Sequence, residues 1–347
     1  MIESWIFEFF PEPAGQAAQA TGDLQQYFSG YLDLWTLDET LGFKGIFFSE
    51  HHFGGSFSPS PNLLIVAVAQ RTTTLRLGVM GVVTPFYSPA RIAEEIGMLD
   101  QLSGGRLEIG TAVGIPQELA RVNLSMAEAR ERNDEATRFL DLALTGKPVT
   151  FQGKHFQCEN LRILPPPRQQ PTPPKWTTVV SPNSARKAAA RHSRICTGFN
   201  ATTRIKEIFD DYRHEADRCG FKVGPADLAL RRRVVVSQSR EQAAELMAVV
   251  EGRMREMLAK DPRARLQAGP ANAVPDASGG GFVLSEDESI HGTPAMVAEQ
   301  IIEQCRTVGA SNFLSVLHWG SLLDEVSRGH QLFGEEVIPS LKRAKVQ

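Results

Sequence analysis

Residues 75–110 read LRLGVMGVVTPFYSPARIAEEIGMLDQLSGGRLEIG, and the hydrophobic spacing changes twice along the way. Leu75–Val83 is a short apolar run rich in Val and Leu, as a strand covered on both faces requires. From Pro89 to Leu102 the apolar residues Ile92, Ile96, Leu99 and Leu102 recur at helical spacing, and Pro89 suits a first turn, where its missing N–H is no loss. Ser103-Gly104-Gly105 then turns the chain into a second apolar run, Leu107–Gly110. Strand, helix and strand in one short span make a βαβ unit, whose strands lie parallel.

The alternation continues outward in both directions. Upstream, Trp5–Phe10 and Gly45–Ser49 (GIFFS) read as short buried strands, with helical character at Tyr27–Leu41, stopped by Gly42, and at Pro61–Arg71. Downstream, Met126–Leu144 is helical, Trp176–Val180, Ile195–Thr197, Leu228–Val236 and Phe313–Leu317 read as strands, and helices fit between them, including Thr293–Val308. Eight apolar strands, each followed by a helix, predict a parallel sheet covered by helices, closed as a single (β/α)8 TIM barrel over residues 1–347. A doubly wound open sheet is the alternative, but no GxGxxG follows the first strand. Two stretches interrupt the pattern. Residues 146–174 form a Gly/Pro-punctuated insertion, where Val149–Phe151 and His155–Gln157 flank Gly153 as a small hairpin. Residues 261–291, rich in Gly, Pro, Ala and Ser, are expected to be a mobile lid loop.

Composition narrows the function classes. The chain has 347 residues, 42% hydrophobic and 22% charged, ample for one large core. Its net charge of −3, from 37 basic and 40 acidic residues well mixed, offers no clustered positive surface for nucleic acid or an anionic membrane. The one basic run, Arg231-Arg232-Arg233, is read as the solvated end of a strand, with an anion site as the alternative. Cys158, Cys196, Cys219 and Cys305 form no CxxC pair, which argues against zinc and against a disulfide framework. No signal peptide is visible at the N-terminus and the longest apolar run, Leu63–Ala69, is too short to span a bilayer, so the expectation is a soluble cytoplasmic protein.

Barrel chemistry sits at the C-terminal ends of the strands, and the residues there are suggestive. Glu50-His51-His52 follows the second strand. Three consecutive residues cannot converge on one metal, because neighbours on a strand point to opposite faces, so no metal is expected. The bland reading of the pair is one hydrogen-bonded structural histidine and one surface histidine; the barrel position favours chemistry. Ser181-Pro182-Asn183-Ser184 opens a helix just after a strand, either as plain capping or as a phosphate site at the helix N-terminus. Phe10, Phe53, Phe199 and Trp319 would line a flat apolar pocket, or simply pack in the core.

With these residues in place, the chain resembles the luciferase-like flavin-dependent monooxygenases over nearly its full length. Glu50-His51-His52-Phe53 is similar to the family's EHHF signature, the block from Leu75 to Gly110 to its most recognisable stretch, and His291-Gly292-Thr293-Pro294 and Pro339-Ser340-Leu341-Lys342 to its tail. The resemblance implies reduced flavin mononucleotide (FMN), delivered by a separate NAD(P)H-dependent reductase. The flavin would react with O2, through a flavin peroxide, to oxygenate a small apolar organic substrate. It implies His51 as the catalytic residue and a non-prolyl cis peptide at Met80–Gly81 near the flavin ring. Thr111 and Ala112 would lie below the flavin, Val180, Ser181 and Ser184 at its phosphate, and Phe199 in its pocket. Phe10, Phe53, His318 and Trp319 would line the substrate pocket, and a homodimer is expected. The chain departs from luciferase itself at Val113, where luciferase has a phosphate-binding arginine, and at Ala112, where it has a cysteine. Val180 and His318 likewise replace acidic residues. Long-chain aldehyde oxidation with light emission is therefore not implied. A deazaflavin (F420)-dependent oxidoreductase and a non-catalytic flavin-binding homologue are the alternatives on the same barrel, and a metal-dependent hydrolase is a third.

Overall fold

The computed structural model describes residues 1–13, 22–260, 285–317 and 322–346, with the backbone alone for 254–260. Its strands are β1 (Glu3–Glu8), β2 (Gly45–Phe48), β3 (Arg76–Val79), β4 (Val82–Val83), β5 (Leu107–Ala112), β6 (Val149–Gln152), β7 (Gln157–Leu161), β8 (Lys175–Thr178), β9 (Arg194–Thr197), β10 (Leu228–Val236), β11 (Ser289–Gly292) and β12 (Asn312–Val316). The chain divides into two compact units, one of residues 1–46 and 179–347, the other of residues 47–178, with the division falling inside β2.

In 47–178 the strands β3, β5 and β8 pair in parallel, and β4 also pairs with β5. The apolar run expected as one strand over Leu75–Val83 is therefore two, interrupted at Met80–Gly81, whose peptide bond is cis. Gly81 runs so close to β5 that a Cβ there would lie 2.7 Å from the Thr111 backbone, an approach that tolerates no side chain. The helix Pro89–Leu102 has the expected limits. Ile92, Ile96 and Leu99 are buried, but Leu102 is exposed, so the inward stripe stops one residue sooner than the spacing suggests. Between the strands, buried Glu108 pairs with Arg76 and accepts a hydrogen bond from Trp176 Nε1 at 2.7 Å.

The insertion does carry a hairpin, β6 against antiparallel β7, but its second strand starts at Gln157 rather than His155. Residues 153–156 are used by the turn, which wraps around the buried Glu135 carboxylate. That carboxylate accepts the amides of Lys154 at 2.8 Å and His155 at 3.0 Å. A polar contact from the preceding helix, Met126–Ala143, thus shifts the pairing, which the strand pattern itself does not show.

The other unit is organised by β10. Its one edge pairs in parallel with β12 along Ala229–Arg233, and β12 pairs in turn with β1. Its other edge pairs with β9 along Leu228–Leu230 and then with β11 along Arg233–Val236. Alternation sends Glu8 and Phe10 toward the helix Leu24–Thr40, where Trp35 Nε1 donates to Glu8 Oε2 at 3.0 Å and Phe10 packs on Tyr27, Tyr31 and Trp35.

Two expectations are corrected here. Arg231, Arg232 and Arg233 are not a solvated strand end: they are 4%, 0% and 2% exposed. The apolar residues Leu228–Leu230 before them and Val234–Val236 after them belong to one nine-residue strand, with the arginines at its centre. Residues 285–291, read as part of a long loop, form a 3-10 turn at Glu286–Glu288 and most of β11, which the polar Ser289 and His291 disguise. Residues 261–284 of the expected lid lie outside the described residues. Among the described residues no helix is long and apolar enough to cross a membrane.

Candidate active site

In the unit 47–178, the segment after β2 presents two histidines to two different carboxylates. His51 Nδ1 lies 3.0 Å from Glu118 Oε1, with the His51 side chain 29% exposed and the Glu118 side chain 7%. Glu118 sits on the short helix Pro116–Arg121, which follows β5, and its Oε2 is buried without a hydrogen-bond partner. A carboxylate at Nδ1 accepts the Nδ1–H, so of the two tautomers open to a neutral ring it favours the one with its lone pair on Nε2. The backbone beneath is tied down: His51 N–H donates to Ser58 O at 3.2 Å, and Ser58 Oγ donates to Ser49 O at 2.7 Å.

His52 turns the other way, as the neighbour on an extended segment must. Its Nε2 donates to Glu50 Oε1 at 2.8 Å, and the Tyr87 hydroxyl donates to the same oxygen at 3.0 Å. Burial, then the adjacent Glu50 carboxylate, pushes the Tyr87 hydroxyl well above the usual phenol range, so it remains a donor. The His52 ring meets Phe86 edge-on at 4.9 Å, and Phe53, with a positive φ of 66° and 49% exposed, lies 6.1 Å from the same Phe86 ring. Glu50 therefore serves the second histidine and Glu118 the first, a division that the EHHF run does not reveal.

The other residues of this unit fall beside β5. Thr111 and Ala112 pair with Val82 and Val83, just past the cis Met80–Gly81 bond. Val113, where luciferase has an arginine, packs against the cluster of Leu119, Leu124 and Ala129 with Phe86 and Met126. That position is apolar in environment as well as in identity.

In the other unit, Ser181 caps the helix Pro182–Ala189. Ser181 Oγ accepts the Ser184 amide at 3.3 Å, and Ser184 Oγ accepts the Ser181 amide at 3.1 Å while donating to Ser181 O at 2.8 Å. Val180 just before it is exposed. Two hydroxyls and the first-turn amides of one helix form a donor set suited to a phosphate monoester. Phe199 follows β9 with a φ of 67°; its N–H donates to Glu288 Oε2 at 2.8 Å and its ring stacks under the Arg231 guanidinium at 3.7 Å.

Phe10 does not line an open pocket. It is fully buried in the aromatic stack on the helix Leu24–Thr40, because its N–H turns in to Glu8 Oε1 at 2.6 Å and its side chain follows Glu8 onto the helix side. His318 and Trp319 lie outside the described residues. Among the described residues no three His, Cys, Asp or Glu side chains gather as metal ligands do.

The amino-acid pattern did not reveal Glu118, Tyr87 or Glu288, and it offered an anion site at Arg231–Arg233 only as the alternative to a solvated strand end. Glu118 carries no local signal, being one acid on a six-residue helix that meets His51 through the fold. Arg231 did carry one, in that apolar residues flank the basic run on both sides.

Comparison with known proteins identifies the family and the fold. A family profile described as luciferase-like monooxygenase matches residues 5–312. An uncharacterized protein, y4wF of Sinorhizobium fredii, is 37% identical over 63% of this chain and 65% of its own length. The oxygenase component of a flavin-dependent trigonelline monooxygenase from Acinetobacter baylyi is 31% identical over 46% of this chain. The match spans 45% of that relative, so it covers under half of the whole protein. Among solved structures, monooxygenase RslO1 of Streptomyces bottropensis superposes with a TM-score of 0.84 at 24% identity, covering 97% of this chain and 99% of its own. The oxygenating constituent of 3,6-diketocamphane monooxygenase from Pseudomonas putida, in complex with FMN, gives 0.75 at 20% identity, covering 97% and 98%. A coenzyme F420 dependent tetrahydromethanopterin reductase from Methanopyrus kandleri gives 0.71 at 16%, covering 98% and 99%. The fold is the (β/α)8 barrel that the strand and helix alternation anticipated.

Proposed function

The chain belongs to the luciferase-like monooxygenase family, and on that premise we propose that it is the oxygenase of a two-component pair, which takes reduced FMN from a separate NAD(P)H-dependent reductase. With O2 it places one oxygen atom on a small, mainly apolar organic substrate. The observation that carries the reading is the His51–Glu118 pair, an acid–base group held by a buried carboxylate at a strand's C-terminal end. The relative described as an oxygenase component and the neighbour holding FMN support it.

Ser181 and Ser184 would hold the flavin phosphate, Met80, Gly81, Thr111 and Ala112 are the candidates for the ring, and Phe199 is a further flavin contact. Bound reduced flavin supplies the two electrons that activate O2. The rest is done by side chains of this chain. Glu118 holds the His51 ring in one tautomer and stabilises it when charged. Nε2 then accepts a proton from the reacting group and returns it as the oxygen atom is transferred. Glu50 and Tyr87 fix His52 and, through it, the Phe53 and Phe86 rings, whose apolar surfaces suit an organic substrate and discourage water.

The cofactor assignment is tested by binding. Replacing Ser181 and Ser184 together with Ala should weaken FMN by roughly tenfold or more, the scale of one or two charge-assisted hydrogen bonds, while phosphate-free riboflavin changes little. Fluorescence titration of the two ligands makes the comparison. The loss of the helix cap, worth about 1 kcal/mol of stability, affects both ligands alike and so drops out. Equal losses would remove the phosphate role. In anaerobic titration reduced FMN should bind and F420 should not; binding of F420 alone would replace the oxygenase reading with hydride transfer.

A further inference from the structure

Arg231 and Arg232 are neighbours on one buried strand and share one carboxylate, yet their bonding differs. Arg232 is fully engaged: Nη1 pairs with Glu288 Oε2 at 3.1 Å, Nη2 donates to Thr202 Oγ1 at 3.2 Å and Nε to Gln304 Oε1 at 2.8 Å. Arg231, on the opposite face, gives Nη2 to Glu288 Oε1 at 3.1 Å, and its Nε and Nη1 have no acceptor among the described residues. Neither atom belongs to the buried polar atoms cut off from solvent, although the residue as a whole is 4% exposed.

The surroundings of Arg231 are aromatic. Its guanidinium lies 3.7 Å from the Phe199 ring centre, 5.3 Å from Phe7 and 5.7 Å from Phe9. Residue 198 is a glycine, and a Cβ there would come within 2.7 Å of Nε and Nη2, so the backbone has been pared back to admit the planar head group. Glu288 is fully buried and also receives the Phe199 amide. One carboxylate thus faces two guanidinium charges, which leaves one positive charge and, on Arg231, the Nε and Nη1 donors without an acceptor among the described residues, beside π faces. A surplus guanidinium charge in surroundings this apolar favours an oxyanion, because a hydrogen bond between charged partners is stronger than one between neutral groups.

We propose that Arg231, backed by the Phe199 ring, is a ligand-binding residue that receives a carboxylate, or an equivalent oxyanion such as an enolate or phenolate, borne by a flat conjugated substrate lying beside Phe7 and Phe9. The inference rests on the reading of the chain as an enzyme for small organic molecules and narrows the substrate to one with an anionic end.

The test uses the whole resting protein and two flat probes of nearly equal shape, benzoate and benzamide, in isothermal titration. Benzoate should bind at least roughly tenfold tighter, the scale of one charge-assisted hydrogen bond. Arg231→Met should abolish that preference, and Arg231→Lys, which keeps the charge but loses the planar head group held on Phe199, should weaken benzoate at least several-fold. Saturating oxidised FMN should leave benzoate affinity within about twofold, which distinguishes a substrate anion from a flavin anion. Equal affinity for the two probes in the wild type, or no detectable binding of either, overturns the proposal even if the Met variant fails to fold. So does a preference that survives in a folded Arg231 variant, or competition between FMN and benzoate. Because no oxygen chemistry enters the assay, a protein that discriminates the probes but fails to oxygenate would retire the proposed function and leave this inference standing.

Discussion

Replacing His51 with Ala lowers turnover by roughly 10²–10⁴-fold, the usual contribution of a positioned acid–base group, and leaves flavin affinity nearly unchanged. The asymmetry follows from where its bonds go: the ring is held by Glu118 Oε1, while the serines proposed for the phosphate cap the helix Pro182–Ala189. Glu118→Gln should produce a smaller loss in the same direction. The amide can either accept from or donate to Nδ1, so it no longer enforces one tautomer, and a 15N spectrum of labelled histidine should show His51 with mixed ring protonation. His52→Ala should act through packing instead, since its partner is Glu50 and its neighbour is the Phe86 ring. Steady-state kinetics of the three variants with matched flavin titrations make the comparison. Normal turnover in the His51 variant would end its assignment, whatever becomes of the fold.

The second large effect is on stability. Glu288→Ala should cost roughly 3–5 kcal/mol, because removing one partner from a buried ion pair leaves the other charges uncompensated. Here the loss falls on two guanidinium groups at once and also releases the Phe199 amide. A thermal melt should show the midpoint falling by several degrees or more, and expression should fall with it. Arg232→Met on top of Glu288→Ala should cost less than the two single changes added together, since the two residues form one network. A Glu288→Ala protein within about 1 kcal/mol of the wild type would mean that the cluster is solvated or otherwise compensated.

These two expectations differ in how far the amino-acid order alone could have led to them. The barrel was readable because its strands are apolar runs of a few residues and its helices carry apolar stripes; the limits of Pro89–Leu102 and Leu228–Val236 agree with the spacing. His51 and the Ser181–Ser184 cap were readable because each is a local pattern at a strand end. What stayed hidden was set by partners far along the chain. Glu118 reaches His51 across a separation of 67 residues, Glu288 pairs with Arg231 across 57, and Glu135 claims the hairpin turn from the helix before it, across 20. A basic run looks solvated until its counter-charge is in view. Phe10 looks like pocket lining until the Glu8 carboxylate is seen to draw its amide inward.

The central claim, that the protein uses reduced FMN to activate O2, is tested most directly by stopped-flow mixing of the protein with chemically reduced FMN and oxygenated buffer. The account predicts a protein-bound spectral species, distinct from both reduced and oxidised flavin, that outlasts the reoxidation of free reduced FMN under the same conditions. Immediate appearance of the oxidised flavin spectrum at the rate of free FMN, with the protein in excess, would contradict it.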